Sequence, residues 1–193
     1  MMLRLATLFF PLIVCVPSSM ATVITFTFEG TIDGEIDSNA FLGESFVLTA
    51  TADTDDIVPF SAGPDFGFDL QPTTVVIGLP NLNGGTILNV TDPTFLSVNN
   101  GNNTFGFGDQ NFFFGAFLTD AVFASYDMQS SLGPVTSPGT TNSFPVFATD
   151  GGDFVFANGS PSLTLTAVLI PEPTSVGLLA VAVLGTALRR RRD

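Results

Sequence analysis

The chain has 193 residues, of which 45% are hydrophobic, and its 18 acidic and five basic side chains give a formal net charge of −13. All the basic residues lie near the two ends, at Arg4 and in residues 189–192, and histidine and tryptophan are absent. The long stretch between these ends therefore has no cation for nucleic-acid phosphates and no imidazole base for a Ser-His-Asp or Cys-His site. Residues 22–170 also lack the His and Cys ligands of zinc sites, since the one cysteine is Cys15.

The amino-terminal 21 residues have the pattern of a secretory signal peptide. Met1–Arg4 is short and positively charged, and Leu5–Val16 is apolar. Ser19 and Ala21 supply the small residues of a cleavage site, so the mature chain is expected to begin at the next residue. Cys15 leaves a lipoprotein signal as the alternative, which the bulky residue before it disfavours.

Residues 22–169 are predicted to form one all-β ectodomain, an antiparallel β-sandwich of jelly-roll-like topology. Val23–Phe28, Phe46–Thr51 and Leu163–Ala167 alternate between apolar and polar residues, as strands with one buried face do. No helical window of normal length is present. Further candidate strands are Thr73–Leu79, Thr86–Val90, Thr94–Val98, Asn111–Leu118, Ala121–Asp127 and Asp153–Ala157.

Clusters of Gly, Pro, Asn and Asp predict the turns between these strands. Phe105–Gly108 is interpreted as turn backbone rather than as a nucleotide-binding loop, because neither flank has a helical pattern. The other predicted turns are Asp33–Gly34, Asn83–Gly85, Asn99–Asn102, Gly133–Pro134, Ser137–Gly139 and Asp150–Gly152.

Phenylalanine is expected to form the core, since the chain has 21 Phe, one Tyr and no Trp. Each buried aromatic ring removes about 150–250 Å² from water. Consecutive residues of a strand face opposite sides, so at least one ring of Phe112–Phe114 is expected to leave the core. That ring either packs under a loop or edge, or belongs to an exposed apolar patch.

Residues 22–169 hold 16 of the 18 acidic residues, because only Glu172 and Asp193 lie outside. Asp53, Asp55 and Asp56 follow the second predicted strand, and closely spaced carboxylates on a loop are ligands that Ca²⁺ prefers. Ca²⁺ is therefore the candidate metal, and an acidic, solvated loop is the alternative. No other cofactor is expected.

The carboxyl-terminal residues 170–193 combine a proline-flanked acid, an apolar stretch and a basic block. Pro171, Glu172 and Pro173 precede the uncharged residues Thr174–Leu188. As a helix, these 15 residues reach about 22 Å, less than the roughly 30 Å hydrocarbon core of a bilayer. Clustered arginines stay on the cytoplasmic side, so the tail predicts a membrane helix with residues 22–169 outside. The arginines that end the helix are Arg189, Arg190, Arg191 and Arg192.

This tail resembles the PEP-CTERM sorting signal of exported bacterial surface proteins. The resemblance implies that an exosortase, a multipass membrane cysteine protease, cuts near the Pro-Glu-Pro motif. An ordinary single-pass anchor that nothing processes is the alternative. The segments Ile24–Ile32 and Gly43–Phe46 also resemble the opening of many exported PEP-CTERM proteins, which implies a β-rich domain without assigning an activity.

Three functions are compatible with these features. The first is a non-enzymatic surface or extracellular-matrix protein that is processed by signal peptidase and exosortase and associates with exopolysaccharide in a biofilm. It would be anchored in the cytoplasmic membrane before processing and would not bind nucleic acid. The second is a carbohydrate- or surface-binding module that uses Ca²⁺, which an apolar patch beside Asp53–Asp56 would favour. The third is a glycoside hydrolase with two carboxylates in a cleft.

Overall fold

The computed structural model describes residues 22–111 and 113–170, which form thirteen strands and three short 3₁₀ turns. The strand pairs in these ranges are antiparallel. The strands are β1 (Val23–Ile36), β2 (Asn39–Asp53), β3 (Val58–Ala62), β4 (Asp65–Leu70), β5 (Thr74–Leu79), β6 (Thr86–Asn89), β7 (Thr94–Asn99), β8 (Thr104–Asp109), β9 (Phe114–Thr119), β10 (Leu132–Thr141), β11 (Phe147–Thr149), β12 (Gly152–Phe156) and β13 (Ser162–Ile170).

The strands form two sheets that share β10. The first sheet has the order β6-β5-β2-β1-β13-β10, with β12 and β11 added beside the end of β1. The second sheet has the order β3-β4-β7-β8-β9-β10. Residues Leu132–Pro138 of β10 pair with β13, whereas Gly139–Thr141 pair with β9, so the strand passes from one sheet to the other. This arrangement confirms the predicted all-β antiparallel sandwich. Its topology is less like a jelly roll than predicted, because most neighbouring strands are also consecutive in the chain.

Phenylalanine rings from both sheets meet in the core, as the composition predicts. Phe105 on β8 is fully buried, and its ring centroid lies 5.2 Å from that of Phe26 and 5.8 Å from that of Phe28, both on β1. Nearby, Phe107 on β8 stacks on Phe147 at 4.9 Å. Because these contacts join the two sheets without polar atoms, the apolar core holds the sandwich together.

The segment Phe105–Gly108 lies inside β8, so its interpretation as a turn was wrong. Its two phenylalanines are buried in the core, and its two glycines face the other side of the sheet. A Cβ on Gly106 would lie 2.4 Å from the ring of Phe114, and one on Gly108 would lie 2.5 Å from Phe95. The glycines are therefore part of the packing, because they let aromatic rings lie directly on the strand.

The strand predicted over Ala121–Asp127 was also wrong, since Ala121–Ser125 forms a 3₁₀ turn. A carboxylate oxygen of Asp120 caps this turn by accepting a hydrogen bond from the backbone N–H two residues on, at 3.0 Å. The buried side-chain amide of Asn100 donates to the carbonyl of Phe123 at 2.5 Å and to a second carbonyl beyond the turn. These tertiary hydrogen bonds override the strand pattern.

β10 contains both of the proline turns predicted between residues 133 and 139, which is a further correction. Proline lacks the N–H that a central strand donates, so it is confined to edges and bulges. Pro134 lies in the irregular step between Leu132 and Val135, and Pro138 is the last residue that pairs with β13. Both prolines lie in the part of β10 that pairs with β13, where no other described strand pairs with β10, so they are accommodated.

The turn predicted at Asp33–Gly34 lies within β1, which continues to Ile36. The pairing of β1 with β2 shifts between Ile32 and Gly34, and the chain reverses three residues later. The reversal uses Asp37 and Ser38, whose positive φ values of 48° and 65° are left-handed. A bulge of this kind carries the same Asp-Gly signal as a turn, which explains the error.

The crossing of β10 between the sheets depends on the absence of a side chain at Gly139. A Cβ there would lie 2.5 Å from the side chain of Leu163 and 3.0 Å from the carbonyl oxygen of Phe117. We expect Gly139→Ala to lower the free energy of unfolding by about 1–3 kcal/mol, because the added methyl overpacks this point. Gly133→Ala is the matched control in the same strand, since a Cβ there has nothing within 4 Å. Denaturant unfolding of both variants tests this prediction, and equal stability of the two would contradict it.

Candidate functional site

Both ends of the described chain lie at one end of the sandwich. In the register of the first sheet, Val23 at the start of β1 pairs with Ile170 at the end of β13 and with Asp53 at the end of β2. Since neighbouring strands are about 4.8 Å apart, Asp53 lies two strands, or about 10 Å, from Ile170. The residues that precede the carboxyl-terminal tail are therefore close to the predicted Ca²⁺ site.

The predicted metal ligands form a single 3₁₀ turn, Thr54–Asp56, capped by the residue before it. A carboxylate oxygen of Asp53 accepts a hydrogen bond from the N–H of Asp55 at 2.8 Å. The side chains of Asp55 and Asp56 are exposed. Within residues 22–111 and 113–170, no three His, Cys, Asp or Glu side chains are grouped so as to hold a metal ion. The Ca²⁺ site at these aspartates stays a prediction.

A groove of about 710 Å³ opens beside this turn, and we call it the end groove. The turn, the last residues of β4, the first residues of β7 and the loop after β8 form its walls. Thr73, at one wall, donates its N–H to the carbonyl of Thr51 on β2 at 2.8 Å, which fixes this wall to the first sheet. The lining includes the exposed Val58 and the polar residues Asp56, Asp69, Gln71 and Gln110, together with the buried side chains of Leu70 and Phe95.

Asp69 is the acid of the end groove whose pKa is shifted by its surroundings. It faces Ser97 of β7 in the strand register, and the Ser97 hydroxyl donates a hydrogen bond to its carboxylate. Burial raises the pKa of Asp69 above its ordinary value, and the hydrogen bond from Ser97 only partly opposes this effect. The groove thus holds a half-buried carboxylate whose charged form is disfavoured by the loss of water.

Phe113 leaves the core, as expected for one member of the phenylalanine run. It is 46% exposed and packs edge-on against the 70% exposed Phe144, with ring centroids 4.5 Å apart. Val146 is also exposed, at 49%. Phe114 packs on Phe95 at 5.2 Å, on the outer face of the second sheet. Phe112, the third member of the run, lies outside the described residues.

The sequence pattern did not reveal the end groove, because β3 and β4 were not predicted as strands. In β4, Phe66, Phe68 and Leu70 alternate with polar or small residues, which is the signal that identifies such a strand. The glycine and acids among them hid this alternation. Asp56 is the one predicted ligand that also lines the groove.

Residues 169–192 match the family model of the PEP-CTERM protein-sorting motif. The match begins within the last two residues of β13 and includes Pro171, Glu172 and Pro173. The chain therefore carries a PEP-CTERM sorting tail, the mark of exported, surface-directed proteins that an exosortase processes. No curated protein and no solved structure matches the chain.

The remaining predicted processing features lie outside the described residues. They include the signal cleavage residues Ser19 and Ala21, the apolar stretch Thr174–Leu188 and the basic block Arg189–Arg192. Among the residues that the structure describes, no helix is long and apolar enough to cross a membrane. The signal peptide and the carboxyl-terminal membrane helix stay predictions.

Asp69 and Asp150 are expected to affect stability in opposite directions. Asp150 accepts hydrogen bonds from the backbone and side-chain nitrogens of Asn89 at 2.8 and 2.5 Å, and these bonds hold its pKa below the ordinary value. Because the pKa of Asp69 is raised, its stability contribution is largest in acid and is lost as the pH rises through its folded pKa. Asp150 contributes above the ordinary carboxyl pKa and loses its contribution as the pH falls.

We therefore expect Asp69→Asn to raise the melting temperature at neutral pH by on the order of 1–2 °C and to have less effect in acid. Asp150→Asn removes the same charge but lowers the melting temperature at neutral pH, because two hydrogen bonds to a charged acceptor are weakened. Calorimetric melting of both variants across the acid range tests the pair. If both substitutions shifted the melting temperature in the same direction at neutral pH, the opposite roles of Asp69 and Asp150 in stability would be contradicted.

Proposed function

We propose that this protein is an exported surface or extracellular-matrix protein that works alongside exopolysaccharide in a biofilm. An exosortase processes its tail, and its β-sandwich acts by binding rather than by catalysis. The observation that carries the proposal is the match of residues 169–192 to the PEP-CTERM sorting motif. The motif begins as β13 ends, so the folded domain leads directly into the sorting tail.

In this proposal, a signal peptidase cuts after Ala21 and the apolar stretch Thr174–Leu188 holds the exported domain at the cytoplasmic membrane. The exosortase then cuts near Pro171–Pro173 and passes the domain to the cell surface or matrix. The pairing of Val23 with Ile170 supports processing at both ends, because both emerge from one end of the sandwich.

A binding role is supported by the side chains available in the domain. Residues 22–170 hold no His, Lys, Arg or Cys, so common bases and nucleophile pairs are absent from this part of the sequence. The half-buried carboxylate of the end groove, Asp69, already accepts a hydrogen bond from Ser97. A glycoside hydrolase needs one acid that protonates the leaving group and a second that acts on the sugar. The second acid of the end groove, Asp56, is exposed to solvent, so binding is the role that we favour.

A carbohydrate-binding module that uses Ca²⁺ is the second candidate. The observation that favours it is the end groove itself, in which the exposed Val58 lies beside the acidic turn that ends at Asp56. Ligand sites usually combine an apolar surface with a few placed polar groups, and this groove has both. Ca²⁺ would act here by joining the exposed carboxylates of the turn to sugar hydroxyls.

Intact-mass spectrometry of the protein purified from its native host tests the processing. We expect a mature chain that begins at Thr22 and ends close to Pro171–Pro173, because the proline-flanked peptide is extended and accessible to a protease. Glu172→Ala should leave more of the longer form, whereas Glu29→Gln, which also removes one negative charge, should leave the mass pattern unchanged. A mature protein that retains the Arg189–Arg192 block would refute exosortase processing.

A further inference from the structure

Two phenylalanine rings lie outside the core on neighbouring loops. Phe113 precedes β9, and Phe144 follows β10. Phe144 is 70% exposed, so its ring keeps a face open to solvent although Phe113 packs against it. Apolar rings gain by leaving water, so an exposed pair of this kind is a candidate contact surface for a ligand.

Hydrogen bonds fix the backbone beside both rings. The N–H of Phe113 donates to a carboxylate oxygen of Asp109 at 3.0 Å. On the other loop, the side-chain amide of Asn142 donates to a carbonyl of β9 at 3.0 Å, and the N–H of Ser143 donates to the side-chain oxygen of Asn158 at 2.9 Å. The rings are therefore preorganised, because a ligand would not have to order these loops on binding.

A groove of about 360 Å³ lies beside Phe144, and we call it the loop groove. Part of β1, the first half of β2, the end of β12 and the loop after β10 form its walls. Leu42, which lines it, is 78% exposed, and Ser143, the residue before Phe144, lines it too. The rings of Phe41 and Phe156 in its lining are buried, so Leu42 and Phe144 supply the accessible apolar surface.

The loop groove also offers hydrogen-bonding groups. Asp33 and Glu35 present carboxylate oxygens, Ser143 a hydroxyl and the exposed Asn158 an amide. A pyranose ring has an apolar C–H face and hydroxyl groups around its edge. A sugar that lies on Phe144 therefore finds partners for its hydroxyl groups in the groove, whereas a purely apolar ligand would leave these polar groups without partners.

The size of the aromatic pair disfavours a second copy of the chain as its partner. At about 200 Å² per ring, the exposed parts of Phe113 and Phe144 come to roughly 230 Å². A stable protein–protein interface buries about 800 Å² on each partner. Two copies would also repel each other, since residues 22–170 carry 16 carboxylates and no basic side chain. The exposed rings match a short stretch of sugars better.

Charge selects among sugar polymers at this place. The aromatic pair lies in two stretches of sequence without a charged residue, 110–119 and 128–149. The charged groups of the loop groove are the carboxylates of Asp33 and Glu35. Polymers of uronic acids or sulfated sugars are repelled by these groups, and polymers that carry amines are attracted by carboxylates over the whole domain rather than by this pair of rings. An uncharged polymer has neither effect.

We propose that Phe144 and the loop groove bind a segment of an uncharged polysaccharide built of pyranose sugars. This inference rests on the proposed association with exopolysaccharide and specifies its chemistry and its place on the domain. One sugar ring lies on Phe144, which Phe113 supports. The neighbouring sugars pass Leu42, and their hydroxyl groups form hydrogen bonds with Glu35 and Asn158.

Binding is tested by calorimetric titration of the full chain, kept in a polyoxyethylene detergent whose headgroup contains no sugar. The ligands are the uncharged β-1,4-linked hexamers of glucose and of N-acetylglucosamine, the cationic hexamer of glucosamine and the anionic hexamer of galacturonic acid. In about 0.5 M sodium chloride, which screens diffuse attraction, we expect one or both uncharged hexamers to bind about ten-fold or more tightly than either charged hexamer. Lower salt should change the dissociation constant of the uncharged hexamer by less than about two-fold.

Two substitutions of exposed phenylalanines locate the site. Phe144→Ala should weaken the binding of the uncharged hexamer by about ten-fold, because the stacked ring is lost. Phe66→Ala is the matched control, since Phe66 is 49% exposed on β4 and does not line the loop groove. It should leave the dissociation constant within about two-fold. Melting temperatures of both variants check that the fold is intact.

Several outcomes would overturn the proposal. The absence of binding by both uncharged hexamers, or equal losses for Phe144→Ala and Phe66→Ala, would remove the assignment. A preference for the glucosamine hexamer would mean that carboxylates rather than the ring select the polymer. A dimer in sedimentation velocity that Phe144→Ala dissociates would make the aromatic pair a contact between copies of the chain.

Co-sedimentation with exopolysaccharide from the native host separates this inference from the proposed function. If the wild-type and Phe144→Ala chains sediment equally with the exopolysaccharide, the association is supported and the loop-groove assignment is overturned. If the wild-type chain binds an uncharged hexamer but does not sediment with the exopolysaccharide, the loop-groove assignment is supported and the proposed association is overturned.

Discussion

The packing of phenylalanine rings between two sheets is the interaction on which this fold depends. The domain has no basic side chain, so its 16 carboxylates repel one another and ion pairs contribute nothing. Phe105 contacts Phe26 and Phe28 across the sandwich, and glycines at Gly106 and Gly108 let further rings lie on the outer face of the same strand. Apolar burial and backbone hydrogen bonds supply the stability, and the buried side-chain polar atoms of the described residues have hydrogen-bond partners.

The same topology determines where the functional features lie. β1 pairs with β13 on one side and β2 on the other, which brings the start of the mature domain, the start of the sorting tail and the acidic turn at Asp53–Asp56 to one end. The end groove opens beside this turn. Its carboxylates face no basic side chain within residues 22–170.

The sequence predicted those parts of the fold that follow a simple local rule. Alternation identified β1, β2 and β13, and turn residues marked the reversals at Asn83–Gly85 and Asp150–Gly152. Prediction from the sequence failed where tertiary contacts decide the structure. Asn100 holds Ala121–Ser125 as a 3₁₀ turn, and the change of sheet within β10 accommodates prolines that otherwise indicate loops. The sorting tail was evident because its signal is local. The end groove was not, because strands distant in the chain form it.

The melting temperature of the full chain as a function of sodium chloride concentration tests this account most directly. If the domain is held by apolar packing against the repulsion of its own carboxylates, screening should raise the melting temperature steadily as the ionic strength increases. Potassium chloride should give the same rise, since screening does not depend on a specific cation. A melting temperature that falls with either salt would mean that charges stabilise the fold, and it would contradict the central claim.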